Sequence, residues 1–368
     1  MKHLRSGDTG TDFQLGLFSA NSPGGLAMTK APERWSGSWD DNRSLAVMAD
    51  EAGIDFLLPI ARFIGYGGET DFHGEILDPL SWQAGLLAAT ERIGVFATVH
   101  TAFNHPVITA KTLATNSQIG HGRAGINIVA GWNQPEYEVF GVDLPSEHDA
   151  RYALAQEWWD IVRTVLTAEE PFDWNGEHYS LKHVIGKPKS FGGLPPVLNA
   201  GSSTQGREFA ARNADYVFTV VGAPEDGAPI VQSVTADARA RGRDTGAITL
   251  THVVCRPTDA EAEEFLHYYA DEQADWEGID NAMRLQGLHA KTFTPEMLGS
   301  FRSRFAAGYG SAPLVGSPDT IAALIQRYAD AGFAGITLSF MNYLDELPFF
   351  VEEVLPRLES RGIRGERR

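Results

Sequence analysis

The chain has 368 residues, 43% of them hydrophobic, which suffices for a large core and for a one-domain barrel of parallel strands and helices. Its net charge of -18 argues against nucleic acid, whose phosphates need a basic face. One cysteine, Cys255, leaves no internal disulfide; with no signal peptide, lipidation signal or membrane-length apolar run, the expected location is the cytoplasm.

Strand-like and helix-like segments alternate along almost the whole length. Strands are expected at 14–18, 55–59, 93–99, 123–129, 196–200, 214–219, 248–255 and 335–340. Helices are expected near 41–52, 79–91, 107–119, 149–168, 204–213, 227–241, 317–332 and 345–360. In the fourth of these, Asp149 reads as a cap, and Ala155, Trp158, Trp159, Val162, Val165 and Leu166 recur on one face. Eight alternating units predict an α/β fold closed as a (β/α)8 TIM barrel. Two stretches break the rhythm. Residues 170–189 look like a small excursion before strand five. Residues 258–316 are longer than one crossover needs, with a helix at 259–276 and then a glycine-spaced segment. The insertion at 277–316 reads as a lid on a single domain or as surface decoration. The first dozen residues and the basic tail from Arg361 are expected to fray.

The most informative segment runs from Arg123 to Glu138. Ile126, Ile128 and Val129 read as a buried parallel strand, which Asn127 interrupts; an unpaired amide there is costly. The following loop carries Trp132, Asn133, Gln134 and Glu136, residue types that bind a flat polar ligand. Gly120–Gly125 matches GxGxxG, but it follows a helix and enters a strand, so a tight turn is the better reading. The stretch Gly201-Ser202-Ser203 leaves a strand and opens a helix, as a phosphate cradle would, although a plain N-cap also accounts for one serine. Arg151 and Tyr152, at the start of the helix after His148, can each reach an anion. His100, Thr101, Asn104 and His105 follow strand three, and His252 lies in strand seven; each is either pocket-lining or a satisfied rim histidine or neighbour. The loop 65–68 is glycine-rich. No GxSxG elbow, HExxH or Cys/His metal spacing, or Walker sequence is present.

These pieces, in this order, resemble the bacterial luciferase-like flavin monooxygenases, closest to the branches that oxidise pyrimidines, dimethyl sulfone and alkanesulfonates. The resemblance runs from about Asp12 to Glu359 and is most specific over 122–138. It implies reduced FMN delivered by a separate NAD(P)H-dependent flavin reductase, reaction with O2 to a flavin (hydro)peroxide, and oxygenation of a small compound. Carried over, it implies cofactor contacts from Ile60, Ala61, Asn127, Glu136, His148, Arg151, Tyr152, Gly201, Ser202 and Ser203, and catalytic positions at His100, Asn127 and His252. Ala61 stands where the pyrimidine branch has lysine. Leu250 replaces the arginine that precedes the histidine of the sulfonate branch. An N-heterocycle or amide is therefore favoured over a sulfone or sulfonate. Phe63, Trp132, Phe340 and Tyr343 could wall the site. A homodimer or homotetramer is expected. The rival readings are a deazaflavin-dependent oxidoreductase, a non-catalytic flavin binder and a flavin-free barrel hydrolase.

Overall fold

A computed structural model describes residues 13–201, 203–288 and 294–365. Eight parallel strands close a barrel: β1 Gln14–Phe18, β2 Phe56–Leu58, β3 Gly94–His100, β4 Ala124–Val129, β7 Val197–Asn199, β8 Tyr216–Thr219, β9 Gly246–Cys255 and β11 Gly335–Leu338. Around the barrel the order is β9-β11-β1-β2-β3-β4-β7-β8, and β8 pairs back to β9. All eight expected strands are present. Their side chains are almost entirely buried, because helices cover the outside while the inward residues fill the lumen. Phe18, Phe56, Leu58, Phe96, Leu198, Tyr216, Ile248 and Leu250 form that inner plug.

The eight expected helices are found with shifted ends, the last divided into Tyr343–Glu353 and Leu355–Ser360. The helix His148–Thr167 is capped at Glu147 with no side-chain bond to the cap, and Asp149 lies in its first turn. The capping role expected of Asp149 is therefore incorrect; an acidic first turn still suits the helix dipole. Residues 170–189 form the antiparallel hairpin β5 Phe172–Asn175 and β6 Ser180–Val184. At the rejected glycine motif the chain turns, with positive φ at His121 and Gly122.

The insertion is more ordered than glycine spacing suggests. Its first helix ends at His267 and continues as a π turn, Tyr268–Glu272, so the expected single helix over 259–276 is broken. Helices Trp276–Leu285 and Pro295–Gly308 follow, then a strand the sequence did not announce, β10 Ala312–Gly316. β10 pairs with residues 251–255 of β9, beyond the half of β9 held in the barrel. The fraying expected of the tail is also incorrect as far as Arg364. Its guanidinium bonds the Phe13 and Gly53 carbonyls and pairs with buried Asp55 at 2.5 Å. The first dozen residues lie outside the described ones.

Candidate active site at the C-terminal mouth of the barrel

Side chains projecting past the C-terminal strand ends converge at one mouth. On β4, Asn127 is 6% exposed, and its amide donates to the Thr98 hydroxyl of β3 at 3.2 Å. Thr98 in turn donates to the Pro59 carbonyl at 2.6 Å, so the pair ties the ends of β2, β3 and β4. Asn127 Oδ1 is buried and has no hydrogen-bond partner among the described residues. The cost foreseen from sequence is thus half met: the donor is satisfied and the acceptor is not.

After β4 the chain forms a short helix, Gln134–Val139, that buries Glu136. The Glu136 carboxylate accepts from the Phe63 backbone at 3.1 Å and from the Asn133 amide, with the Arg62 guanidinium 3.7 Å away. Burial pushes its pKa up, against the pull of Arg62 and these donors. Glu136 Oε2 and Asn133 Oδ1 are further buried acceptors without partners among the described residues.

Gly201, which opens the segment 201–203, lies beside the start of the helix His148–Thr167. Gly201 donates to Asn199 Oδ1 at 3.0 Å, and the Tyr152 hydroxyl hydrogen-bonds the Asn199 side chain. A Cβ on Gly201 would come within 2.2 Å of that hydroxyl, so the glycine is required by close approach. Ser203 caps the helix Thr204–Asn213, its hydroxyl accepting from Gly206 at 3.1 Å. Arg151 is buried and donates to the Gly131 carbonyl at 3.1 Å, leaving Nε without a partner among the described residues. Ser202 lies outside the described residues, and His148 is placed only as the first residue of its helix.

Ile60 and Ala61 follow β2. The Ile60 backbone donates to and accepts from the Asn21 side chain, which fixes this bend against β1. His100 is buried, stacks on Phe103 and donates to the Ala61 backbone; burial lowers its pKa to about 4, with Arg62 acting in the same sense. His252 follows Ile248 and Leu250 on the barrel-facing side of β9, bonded to the Ser311 hydroxyl at 2.8 Å under Gly308. Burial, then Arg304, brings its pKa to about 3. Both imidazoles are therefore neutral near pH 7. His105 caps the helix Pro106–Ile119 at an exposed position, a structural role. Of the four aromatic residues singled out, Phe63 and Trp132 are half-exposed at the mouth, while Phe340 and Tyr343 are core.

Sequence reasoning missed Arg62, Tyr66 and Tyr309. Arg62 donates to both tyrosine hydroxyls, which also bond each other, and lies against the Trp132 ring at 4.6 Å. Arg62 and Tyr66 share one loop, but Tyr309 is 247 positions from Arg62, and no local pattern joins them. A 300 Å³ groove between the outer helices, lined by Val107, Ile108, Lys111 and Ile185, is remote from these groups.

A parallel barrel whose mouth gathers unmatched amide, carboxylate and guanidinium groups over an apolar plug is built to enclose a flat, polar cofactor and a small substrate. The luciferase-like monooxygenase family profile matches residues 13–335. The pyrimidine monooxygenase RutA of Acinetobacter baylyi is 30% identical over 354 residues, covering 95% of each chain. Among solved structures, riboflavin lyase RcaE superposes with a TM-score of 0.85 at 22% identity, over 96% of this chain and 92% of that one. DmoA from Hyphomicrobium sulfonivorans gives 0.84 at 19% identity, over 95% and 88%. The chain belongs to the luciferase-like monooxygenase family and is a flavin-dependent monooxygenase. Among the described residues, no helix is long and apolar enough to cross a membrane.

Proposed function

We propose that the protein is the oxygenase of a two-component system. It takes reduced FMN from a separate NAD(P)H-dependent flavin reductase and uses O2 to oxygenate a small N-heterocycle or amide. The observation that carries this reading is the set of buried, unmatched polar atoms at the mouth: Asn127 Oδ1, Asn133 Oδ1 and Glu136 Oε2 along β4 and its loop, and Arg151 Nε on the helix His148–Thr167. Natural cores rarely leave such atoms dry, and a flavin ring edge offers complementary donors and acceptors.

Bound reduced flavin would supply the oxygen-transfer chemistry. The protein's own groups bind, orient and exclude water. Gly201, Ser202 and Ser203 hold the phosphate at the helix start, with Arg151 and Tyr152 beside it. Asn127, Glu136, Ile60 and Ala61 contact the ring. Neutral His100 and His252 place no positive charge at the mouth, and His100 holds its proton on the ring nitrogen that faces the Ala61 backbone. The insertion covers the site, since Tyr309 at its end reaches Arg62. The subunits assemble as a homodimer or homotetramer through outer-helix surface that includes exposed Ile108 and Ile119.

The test is anaerobic titration with reduced FMN, followed by O2 with and without uracil while oxygen uptake and ring opening are followed. Tight uptake of reduced FMN and substrate-dependent oxygen use are expected. Flavin-independent turnover, or bound flavin that turns over without O2, would refute the reading.

A further inference from the structure

Arg62 is a buried cation of the mouth with two unmatched donors. Its side chain is 4% exposed. Nη2 serves Tyr66 and Tyr309, but Nε and Nη1 have no hydrogen-bond partner among the described residues. In Arg151, Arg243 and Arg304 only Nε is both buried and unmatched; among the described residues Arg62 alone adds a buried, unmatched Nη1. The contrast with Arg123 is direct. That guanidinium, equally buried at the opposite end of β4, donates to Thr90 Oγ1 and to the Ile93, Leu87 and Thr90 carbonyls. An arginine kept for structure is satisfied in this way. Leaving charged donors dry is costly unless a ligand completes them.

The surroundings limit what can complete them. Trp132 lies 4.6 Å from the guanidinium and Tyr66 5.0 Å, so aromatic rings occupy its surroundings, and the open donors lie in its plane. Donors on a planar edge match an sp² oxygen lying in the plane of its own molecule. The Glu136 carboxylate faces Nη1 at 3.7 Å, pairing with the charge at more than hydrogen-bond length. Trp132 is 39% exposed and is the removable part of the cover.

Barrel order separates this cage from the phosphate end. The cage is built from the β2 loop, from Trp132 and Glu136 after β4, and from the end of the insertion after β9, whereas Gly201 follows β7 and Tyr152 lies against it on the helix His148–Thr167. Around the barrel β2 and β7 are separated by β3 and β4, so Arg62 lies away from the Gly201 end of the mouth. A flavin anchored at β7 leaves the Arg62 side for the molecule it acts upon.

We propose that Arg62 anchors the substrate, and that the compounds accepted are flat molecules presenting a ring-carbonyl or carboxylate oxygen in their own plane. Tyr66 and Tyr309 are positioning residues that hold the guanidinium edge-on. The assignment rests on the flavin reading for the location of the cofactor.

The test measures equilibrium binding of uracil, orotate and unsubstituted pyrimidine to the FMN-loaded protein, and FMN affinity in parallel, for the wild type, Arg62→Met and Arg62→Lys. Uracil or orotate should bind at least about tenfold tighter than pyrimidine, and Arg62→Met should remove that preference while FMN affinity stays within about twofold. Uracil preferred over orotate identifies a neutral carbonyl; the reverse identifies a carboxylate. Arg62→Lys keeps the charge but loses the planar edge, so it should recover part of the orotate affinity and little of the uracil affinity. No preference over pyrimidine, a preference that survives in both variants, or FMN affinity falling in step would overturn the proposal. If wild-type protein takes up no FMN, the proposed function fails, and the same three probes on flavin-free protein still decide Arg62.

Discussion

Replacing Gly201 by alanine tests the phosphate cradle at its tightest point. The added Cβ would lie 2.6 Å from the Gly206 Cα and 2.9 Å from Asn199 Oδ1, as well as 2.2 Å from the Tyr152 hydroxyl. The tyrosine can swing away, but Gly206 is backbone in the first turn of a helix capped by Ser203. Carbon atoms pack at about 3.5 Å or more, so loop and helix must separate by roughly 0.9 Å. An amide bond of about 2.9 Å opened by that amount is no longer a hydrogen bond. Losing one such bond to a phosphate should weaken FMN binding by about 1.5–3 kcal/mol, roughly tenfold to a hundredfold. Riboflavin has no phosphate and should bind with nearly unchanged affinity. Fluorescence titration with both flavins reads the difference, and urea unfolding should show a separate loss of about 1–3 kcal/mol from overpacking. FMN affinity that holds, or falls equally with riboflavin affinity, would refute the cradle.

The other expectations separate site from scaffold. Asn127→Ala should weaken flavin affinity or uncouple oxygen use while costing about 1 kcal/mol or less in stability, since it removes one modest bond to Thr98; unchanged affinity and coupling would sink that role. Ser203→Ala should lower stability by about 1 kcal/mol because the hydroxyl is an N-cap, and should weaken FMN more than riboflavin. Thermal melts with each flavin check both effects. Arg123→Met should destabilise by about 3–5 kcal/mol by stripping four acceptors of their donor, yet leave FMN affinity of the folded fraction intact; a binding defect at full stability would contradict this. Acid should also destabilise through histidine. With pKa values near 4 and 3, His100 and His252 stay neutral in the folded protein while their unfolded counterparts protonate below about 6.5. Each removes about 1.4 kcal/mol per pH unit below that point, so together they cost roughly 4 kcal/mol by pH 5. The raised pKa of Glu136 works in the opposite direction. Urea unfolding at pH 7 and 5 should show about 2 kcal/mol of the acid loss recovered in His252→Gln, the rest remaining with His100 and with His73, whose pKa burial also holds well below the usual value; an identical pH dependence in that variant would be evidence against a buried neutral imidazole.

How much of this was legible in the sequence depends on the range of the interaction involved. The eight barrel strands follow from local apolar runs and the spacing between them, so the sequence alone predicts them. The same holds for Asn127, whose polar side chain inside an apolar run is visible without any partner. β10 was not visible because its pairing with β9 is made across 60 residues and its exposed Pro313 weakens the strand pattern. The short helix Gln134–Val139 was hidden in a loop-like composition of Trp, Asn, Gln and Pro. Arg364 is harder still, because a basic tail reads as solvated until Asp55 is known to lie beneath it. Arg62 belongs with these long-range cases: Tyr309, which holds it, is 247 positions away. Barrel topology is what joins them, by bringing the β2 loop and the end of the β9 insertion to one rim. The insertion therefore contributes a wall of the mouth. Ala306 accepts from the Met28 backbone at 3.0 Å, and residues 305–307 are buried with it in the same apolar cluster. A deletion of 285–310 would remove that packing together with Tyr309. Tyr309→Phe is the cleaner probe, because it leaves the helix packed and takes away only the hydroxyl that orients Arg62.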